Sequence, residues 1–551
     1  MTPPARRSFP QSSPPQDRRP QLVALVISGI ASLVSLAGCG DDGFFCGKNA
    51  CGASNSEMSQ LKAMSPLPDA PDDPSNEYAK NADAAGLGKQ FFHDKRFSGL
   101  TTALDALNRP MPFGRTQKGQ PAGVACVTCH DPGRGSIDST SVPGNVSVGA
   151  GWTFSNALPT FNAVYYQLLT WNGRIDSLWA QAVADNENPL TTNGSRLATA
   201  WVIADLYRGD YEKVFSKYPI PMPGTSAAVR PLVIEWGQPN AGQCKVADGA
   251  ACPDGCRAVT GTNGTKACFP RFPLWGRPGK VAGCQPGDSE WGGDAFDCMA
   301  DDDRAAVSRM LVNFGKAIAA YETTLVSRTS PFDRWVAEVN AGNEGSTAIS
   351  ESAKLGAELF VGKAACNDCH STSLFSDNKF HNIGVEQVGP AIPTESDCPA
   401  GGVCDCAPVS DTHMNGPKNC IPWGFRDGVD KLQQNKYRRD SMWSDNAEDA
   451  SRMAYVKMPL DTAPKGAYRT PSLRNVELTA PYMHNGSIAT LEDVVAHYVR
   501  GGSGNVPGAR AASIKPLYLT ATEQQALVDF LKSLTSDPLP ADVVAPPQLP
   551  Q

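Results

Sequence analysis

Histidine is scarce in this chain, seven among 551 residues, and long apolar runs are scarcer. The one marked run, Leu22 to Ala37, is short beside the roughly 20 residues that a membrane-spanning helix needs. No block of basic residues tracks a nucleic acid backbone, and the net charge is -7, so nucleic acid is excluded as a partner. Charged residues make up only 19%, while glycine (51) and proline (45) are plentiful, so long irregular stretches are expected. The length suffices for two domains with sizeable cores.

Two of the few histidines share one pattern. Cys126-Val127-Thr128-Cys129-His130 and Cys366-Asn367-Asp368-Cys369-His370 are both Cys-x-x-Cys-His. Two thiols at this spacing form thioethers to the vinyl groups of a haem, and the adjacent histidine sits beneath the iron as its axial ligand. A redox disulfide and half of a zinc site are the competing readings. Zinc needs further ligands for each half, and a thioredoxin-like site needs no following histidine. Two covalently attached haem c groups are therefore the expected cofactors.

Arg6, Arg7, Arg18 and Arg19 precede the apolar run, and Leu36-Ala37-Gly38-Cys39 ends it like a bacterial lipobox. Residues 1–38 are expected to be a cleaved lipoprotein signal with lipidation at Cys39, residues 39–76 a flexible tether. This places the protein on the periplasmic side of a bacterial envelope, anchored to a membrane by lipid. A signal-anchor helix is the alternative. Without Cys39 and the four haem cysteines, twelve of the seventeen cysteines remain, in even local sets. They are Cys46 and Cys51; Cys244, Cys252, Cys256, Cys268, Cys284 and Cys298; and Cys398, Cys404, Cys406 and Cys420. Even sets fit disulfides in an oxidising compartment. A structural metal cluster competes for the middle set, although no histidine lies among those six.

An internal repeat links the halves. Gly86-Leu87-Gly88-Lys89-Gln90-Phe91-Phe92 precedes the first motif and Lys354-Leu355-Gly356-Ala357-Glu358-Leu359-Phe360 the second, both as short amphipathic helices. Helical patterns from Val307 to Leu325 and from Thr522 to Leu534 close the halves. The fold class is all-α: two cytochrome c-type haem domains, 77–345 and 346–536. Surface insertions stapled by disulfides are expected at about 223–303 and 386–452, with a disordered proline-rich tail at 537–551.

Several segments resemble the bacterial di-haem cytochrome c peroxidase/MauG family. They are Ser155 to Val164, Trp171-Asn172-Gly173-Arg174, Tyr321-Glu322-Thr323-Thr324-Leu325 and the long stretch Arg469-Thr470-Pro471-Ser472-Leu473-Arg474-Asn475 through Pro481-Tyr482-Met483-His484-Asn485-Gly486. The resemblance implies a peroxidatic N-terminal haem on His130 and an electron-transfer haem on His370. Trp171 would relay charge between them, with ordinary core packing as the bland alternative. Hydrogen peroxide would be the oxidant. Electrons would come from a small redox protein, a cytochrome c or cupredoxin, or from a protein substrate. A calcium ion would lie between the domains on Asn156, Thr479 and Pro481, unless Asn156 merely caps a turn.

Three absences set this chain apart from ordinary members of that family. Fourteen residues after His484, where a methionine ligates the second haem, stands Tyr498. A phenolate favours ferric and higher states. His497 and a methionine from elsewhere are the alternative ligands. In Gly149-Ala150-Gly151-Trp152, Ala150 replaces a capping histidine, so the His130 haem is expected to be open without prior reduction. Gln181 matches the family glutamine that handles peroxide, but ten residues later Thr191 stands in place of a glutamate. Threonine is a poor proton shuttle. Glu187 or Asp185 could enter from the same loop, against a surface or helix-end role for each. Without a distal carboxylate, a non-enzymatic di-haem electron carrier is the competing function.

Overall fold

Two helices crossing at a glycine organise each half. The computed structural model describes residues 55–551 except 103–118, 139–140, 142–145, 154, 223–249, 253, 261–265, 279–295, 387–423, 504–505 and 507. The signal segment, Cys39, Cys46, Cys51 and the third cysteine set lie outside these residues. In chain order the helices are α1 (Asn55–Ala63), α2 (Ala82–His93), α3 (Cys126–Cys129), α4 (Leu178–Glu187), α5 (Arg196–Leu206), α6 (Arg208–Val214), α7 (Asp301–Thr323), α8 (Pro331–Asn340), α9 (Glu351–Val361), α10 (Phe425–Gln434), α11 (Met453–Val456), α12 (Leu491–Val499), α13 (Ala521–Lys532) and α14 (Ala541–Val544). The described strands form two antiparallel pairs, β1 (Cys256–Thr260) with β2 (Lys266–Pro270) and β3 (Phe380–His381) with β4 (Tyr468–Arg469). The fold is thus mostly helical, with little sheet.

The repeat has a packing reason. In the first half α2 crosses α7, and a Cβ on Gly88 would stand 1.8 Å from Ala317 O. In the second α9 crosses α13, and a Cβ on Gly356 would stand 1.9 Å from Ala526 O. Only glycine lets the helix backbones approach so closely. The phenylalanines that follow fill the two cores. Phe91 stacks on Phe314 and Phe92 meets Tyr321 edge-on, while Phe360 lies 5.1 Å from Phe530.

Helix bounds differ modestly from the expectation. The helix read over 307–325 begins at Asp301, and α13 is capped by Thr520 rather than Thr522. The Thr520 side chain accepts from Glu523 N while the Glu523 carboxylate accepts from Thr520 N.

Four segments expected outside the core pack into it. From Asn55 the supposed tether is α1, whose Leu61 and Met64 are buried in the second core. The β1–β2 hairpin carries the Cys252–Cys268 disulfide, and Cys256 and Cys298 are also disulfide-bonded. Phe272, Phe296 and Met299 at the ends of that insertion join the first core. Residues from Gly424 onward are no surface loop: Phe425, Val429 and Leu432 of α10 pack with Leu168 and Phe380 in a third cluster. The tail is ordered as well. Leu539 and Val543 pack on the first core, Tyr321 Oη donates to Val543 O, Lys89 Nζ to Asp542 O and Arg96 Nη1 to Pro550 O. These segments carry few apolar residues each, and a pattern read along one segment does not show that another half supplies the covering surface.

Candidate functional site

The first attachment site follows α2. Ser98 and Ala125 lead into the four-residue helix α3, and His130 closes it with its N–H on Cys126 O at 3.0 Å. This turn sets both thiols and the imidazole along one short stretch. Cys126, Cys129, Cys366 and Cys369 form no disulfide, whereas Cys252, Cys256, Cys268 and Cys298 are oxidised. Burial lowers the basicity of His130, and its Nδ1 is buried without a hydrogen-bond partner.

Ala150 lies in a loop packed on residues 188–192. Its N–H bonds to Thr191 O at 2.6 Å, and its methyl group packs with Ala122 and Val124. A Cβ on Gly149 would stand 2.2 Å from Thr191 O, so glycine is required for this approach. No side chain at 150 can ligate a metal.

Beside Cys126 lies a set of ionisable groups. Ser177 caps α4, which presents Gln181 and, one turn on, Asp185; the Gln181 amide donates to the Asp185 carboxylate. Arg174 Nη2 stands 3.9 Å from Asp185 Oδ1. Glu322, at the end of α7, is 4% exposed, and its Oε2 has no hydrogen-bond partner. Burial raises the Asp185 carboxyl, with Arg174 pulling it back. Burial, then the Asp185 charge, pushes Glu322 up to about 8. Both carboxylates in turn raise the Cys126 thiol, after burial itself.

Thr191 does not take this position. Its hydroxyl donates to Asp185 O at 2.6 Å, tying the loop to the end of α4. Glu187 is also committed, to Arg196, whose N and Nε reach it at 3.1 and 2.9 Å. Of the two acids considered from sequence, Asp185 alone lies with Gln181.

In the second half, His370 Nδ1 meets Phe375 O at 3.0 Å, which leaves Nε2 as the ring nitrogen for a metal and fixes the tautomer. Tyr498, on α12, is half-buried, and desolvation followed by the charges of Cys366 and Cys369 makes its phenol harder to ionise. Its neighbour His497 is turned away: Nε2 meets Ile383 O at 3.0 Å and only 2% of the residue is exposed. His381, which had no role in the sequence reading, pairs with Asp377 at 2.7 Å.

Trp171 connects the halves. Its Nε1 donates to Asn156 O at 2.8 Å, its carbonyl accepts from Arg469 N at 2.8 Å, and its ring lies 6.3 Å from that of His484. His484 stacks on Tyr468 at 3.7 Å, and burial pushes it down to about 3, so the imidazole is neutral. Asn156 Nδ2 donates to Pro481 O at 2.6 Å, which brings two of the expected calcium-site residues together, while the Thr479 hydroxyl donates to Val476 O. Among the described residues no group of three or more His, Cys, Asp or Glu could hold a metal ion, so calcium here would rest on neutral oxygens.

Arg469 supplies a further test of fit. It is 3% exposed, its guanidinium lies 3.4 Å from the Tyr166 ring centre, and Nε and Nη1 are buried without partners. A buried cation of this kind calls for an anion, and a haem propionate is one. Two pairs of thiols outside any disulfide, an oriented histidine and an unpaired arginine fit haem c. The signal for Arg469 was its place in the Arg-Thr-Pro-Ser-Leu-Arg-Asn motif; that for Glu322 was Tyr-Glu-Thr-Thr-Leu.

Residues 82–230 match the sequence family described as di-haem cytochrome c peroxidase. The cytochrome-c peroxidase IdrP1 of Denitromonas iodatirespirans is 26% identical over 499 residues, 90% of this chain and 91% of that protein. The methylamine utilization protein MauG of Methylorubrum extorquens is 31% identical over 234 residues, 42% of this chain and 46% of that protein. Residues 82–230 thus carry a domain of the di-haem cytochrome c peroxidase family. Among solved structures, a MauG-like protein associated with microbial copper homeostasis is 19% identical with a TM-score of 0.46, covering 87% of this chain and 97% of that one.

Similarity to the di-haem family implies two haem c groups, which agrees with the two attachment sites. Cys126, Cys129 and His130 would hold one, and Cys366, Cys369 and His370 the other.

Proposed function

We propose that this protein is a haem peroxidase-type oxidoreductase that reduces hydrogen peroxide at the His130 site with electrons relayed from the His370 site. The reaction is H2O2 + 2 H+ + 2 e− → 2 H2O. The haem groups supply the redox chemistry. The observation that carries this reading is the polar set beside Cys126: Gln181, Asp185, Arg174 and Glu322. Keeping two carboxyls buried costs stability. An electron carrier gains nothing from that cost, whereas peroxide reduction needs protons delivered inside the fold.

Each part of the chain has a role in this scheme. Gln181 orients peroxide through its amide. Ala150 leaves the His130 site open in the resting protein. Trp171, bonded at both its ring nitrogen and its carbonyl, is held rigidly between the halves and carries charge. Tyr498 would help to hold the His370 haem, since His497 is engaged with Ile383 O. Asn156, Thr479 and Pro481 supply oxygens to a calcium ion that fixes the relay. The donor is a small redox protein or the oxidised group of a protein substrate, and the protein works on the periplasmic side of the envelope, lipid-anchored at Cys39.

A di-haem electron carrier is the second reading, favoured by the Thr191 hydroxyl being spent on Asp185 O. One measurement tests the cofactors common to both readings and a second decides between them. Intact mass after acid extraction should exceed the polypeptide by two haems. Paramagnetic resonance of the resting ferric protein should show a high-spin signal from the His130 haem. Two purely low-spin signals would establish the carrier and remove the enzyme.

A further inference from the structure

We propose that Asp185, backed by Glu322, moves the proton between the two oxygens of peroxide, in place of the glutamate that this chain lacks at Thr191. This deepens the peroxidase reading and rests on it. The acid has changed place along the chain: it comes four residues after Gln181, on the next turn of α4, rather than ten residues after it on the loop.

Several observations carry the proposal. The Gln181 amide donates to the Asp185 carboxylate, so the two groups face the same space. Asp185 keeps 25% of its side chain exposed, which leaves an oxygen open to a small molecule. Glu322 is 4% exposed with Oε2 unpartnered, beside both Asp185 and Cys126. An unpartnered buried carboxyl oxygen is uncommon and calls for a reason. The two nearby alternatives are committed elsewhere, Glu187 to Arg196 and the Thr191 hydroxyl to Asp185 O.

The groups facing Asp185 set its proton affinity. Burial raises the Asp185 carboxyl and Arg174, from the loop before α4, favours the carboxylate; Gln181 is neutral, and Glu322 on α7, pushed up to about 8 by burial and by Asp185, still holds its own proton while Asp185 titrates. Cys126 on α3 no longer titrates once it forms a thioether. Asp185 takes the proton from one peroxide oxygen and returns it to the other, which leaves as water when the O–O bond breaks. The acid ends as it began. Both protons and both electrons of the overall reaction above then convert the remaining oxygen to the second water. Glu322 touches no substrate; burial and Asp185 keep it protonated up to about pH 8, so Asp185 is the carboxylate of the pair in neutral solution.

The test uses haem-loaded protein and two probes. Hydrogen cyanide must lose its proton to bind ferric haem, so its association rate reads the proton acceptor without any turnover. Asp185→Asn should slow cyanide association at least roughly 10-fold and the peroxide reaction roughly 10²–10³-fold. Adding Thr191→Glu to that variant should recover much of both rates. Glu322→Gln should leave the acid limb of the cyanide rate profile in place, since Glu322 is neutral there, and should abolish the change that ionisation of Glu322 brings to the rate near pH 8. Wild-type cyanide and peroxide rates in Asp185→Asn would overturn the proposal. Should that variant fail to take up haem, an inflection of the rate near pH 8 that persists unchanged in Glu322→Gln would overturn it instead. A wild-type protein inert to peroxide, whose cyanide rate still falls in Asp185→Asn, would refute the peroxidase reading and leave the proton role standing.

Discussion

Replacing Glu322 by glutamine should stabilise this protein in alkali and leave it unchanged in acid. Glu322 is 4% exposed, its Oε2 lacks a partner, and no cation neutralises it; burial and then Asp185 push its carboxyl from the ordinary 4.5 to about 8. The folded value lies above the unfolded one, so the folded state holds the proton more tightly. That contribution is complete below pH 4.5 and is lost as pH rises through 8. At 1.36 kcal/mol per unit the full shift corresponds to about 5 kcal/mol. Local relaxation takes up part of this, leaving roughly 2–5 kcal/mol. Glutamine keeps the shape and cannot ionise. In urea unfolding of haem-loaded protein, the variant should match the wild type within about 1 kcal/mol at pH 4.5 and exceed it by roughly 2–5 kcal/mol at pH 9. An equal difference at the two pH values, or a less stable variant at pH 9, would refute the reasoning, because then the carboxyl carries no buried charge in alkali.

Three further outcomes follow from the same contacts. Tyr498→Phe should abolish the low-spin spectrum of the His370 haem, and Tyr498→Met should make that haem easier to reduce; an unchanged low-spin spectrum in the phenylalanine variant would show that another residue is the ligand. Asp333→Ala should cost roughly 3–5 kcal/mol in urea unfolding, because it strands the buried Arg474 that Asp333 grips at 2.8 and 3.0 Å. Deleting residues 537–551 removes Leu539 and Val543 from the first core together with the bonds to Val543 O, Asp542 O and Pro550 O; it should destabilise that half by roughly 1–3 kcal/mol, measured by limited proteolysis of α2 and α7.

What the sequence made legible was local and what it hid was tertiary. The motif at Cys366 to His370 states its chemistry in five residues. The repeat around Gly88 and Gly356 announced two similar halves, and its reason, a helix crossing that tolerates no Cβ, became visible only with Ala317 and Ala526 opposite. The α10 helix was readable in principle, since Phe425, Val429 and Leu432 recur at helical spacing, but the cysteine-rich stretch before it drew the whole region into one insertion. Spacing from Gln181 led to Thr191 because the counting followed the loop. Asp185 shares the chemistry through the turn of α4, and Glu322 enters from a helix some 140 residues away in sequence, beyond any local pattern. Arg469 could be quoted in a motif, but only its unpaired Nε and Nη1 reveal that it awaits an anion.

The most direct test of the account is to mix purified diferric protein with hydrogen peroxide while recording optical and paramagnetic resonance spectra. The account predicts a rapid change at the haem on His130 without prior reduction, loss of its high-spin signal, and return to the resting spectrum when a reduced cytochrome c or cupredoxin is added. Spectra that stay unchanged through many equivalents of peroxide, with both haems low-spin throughout, would contradict it.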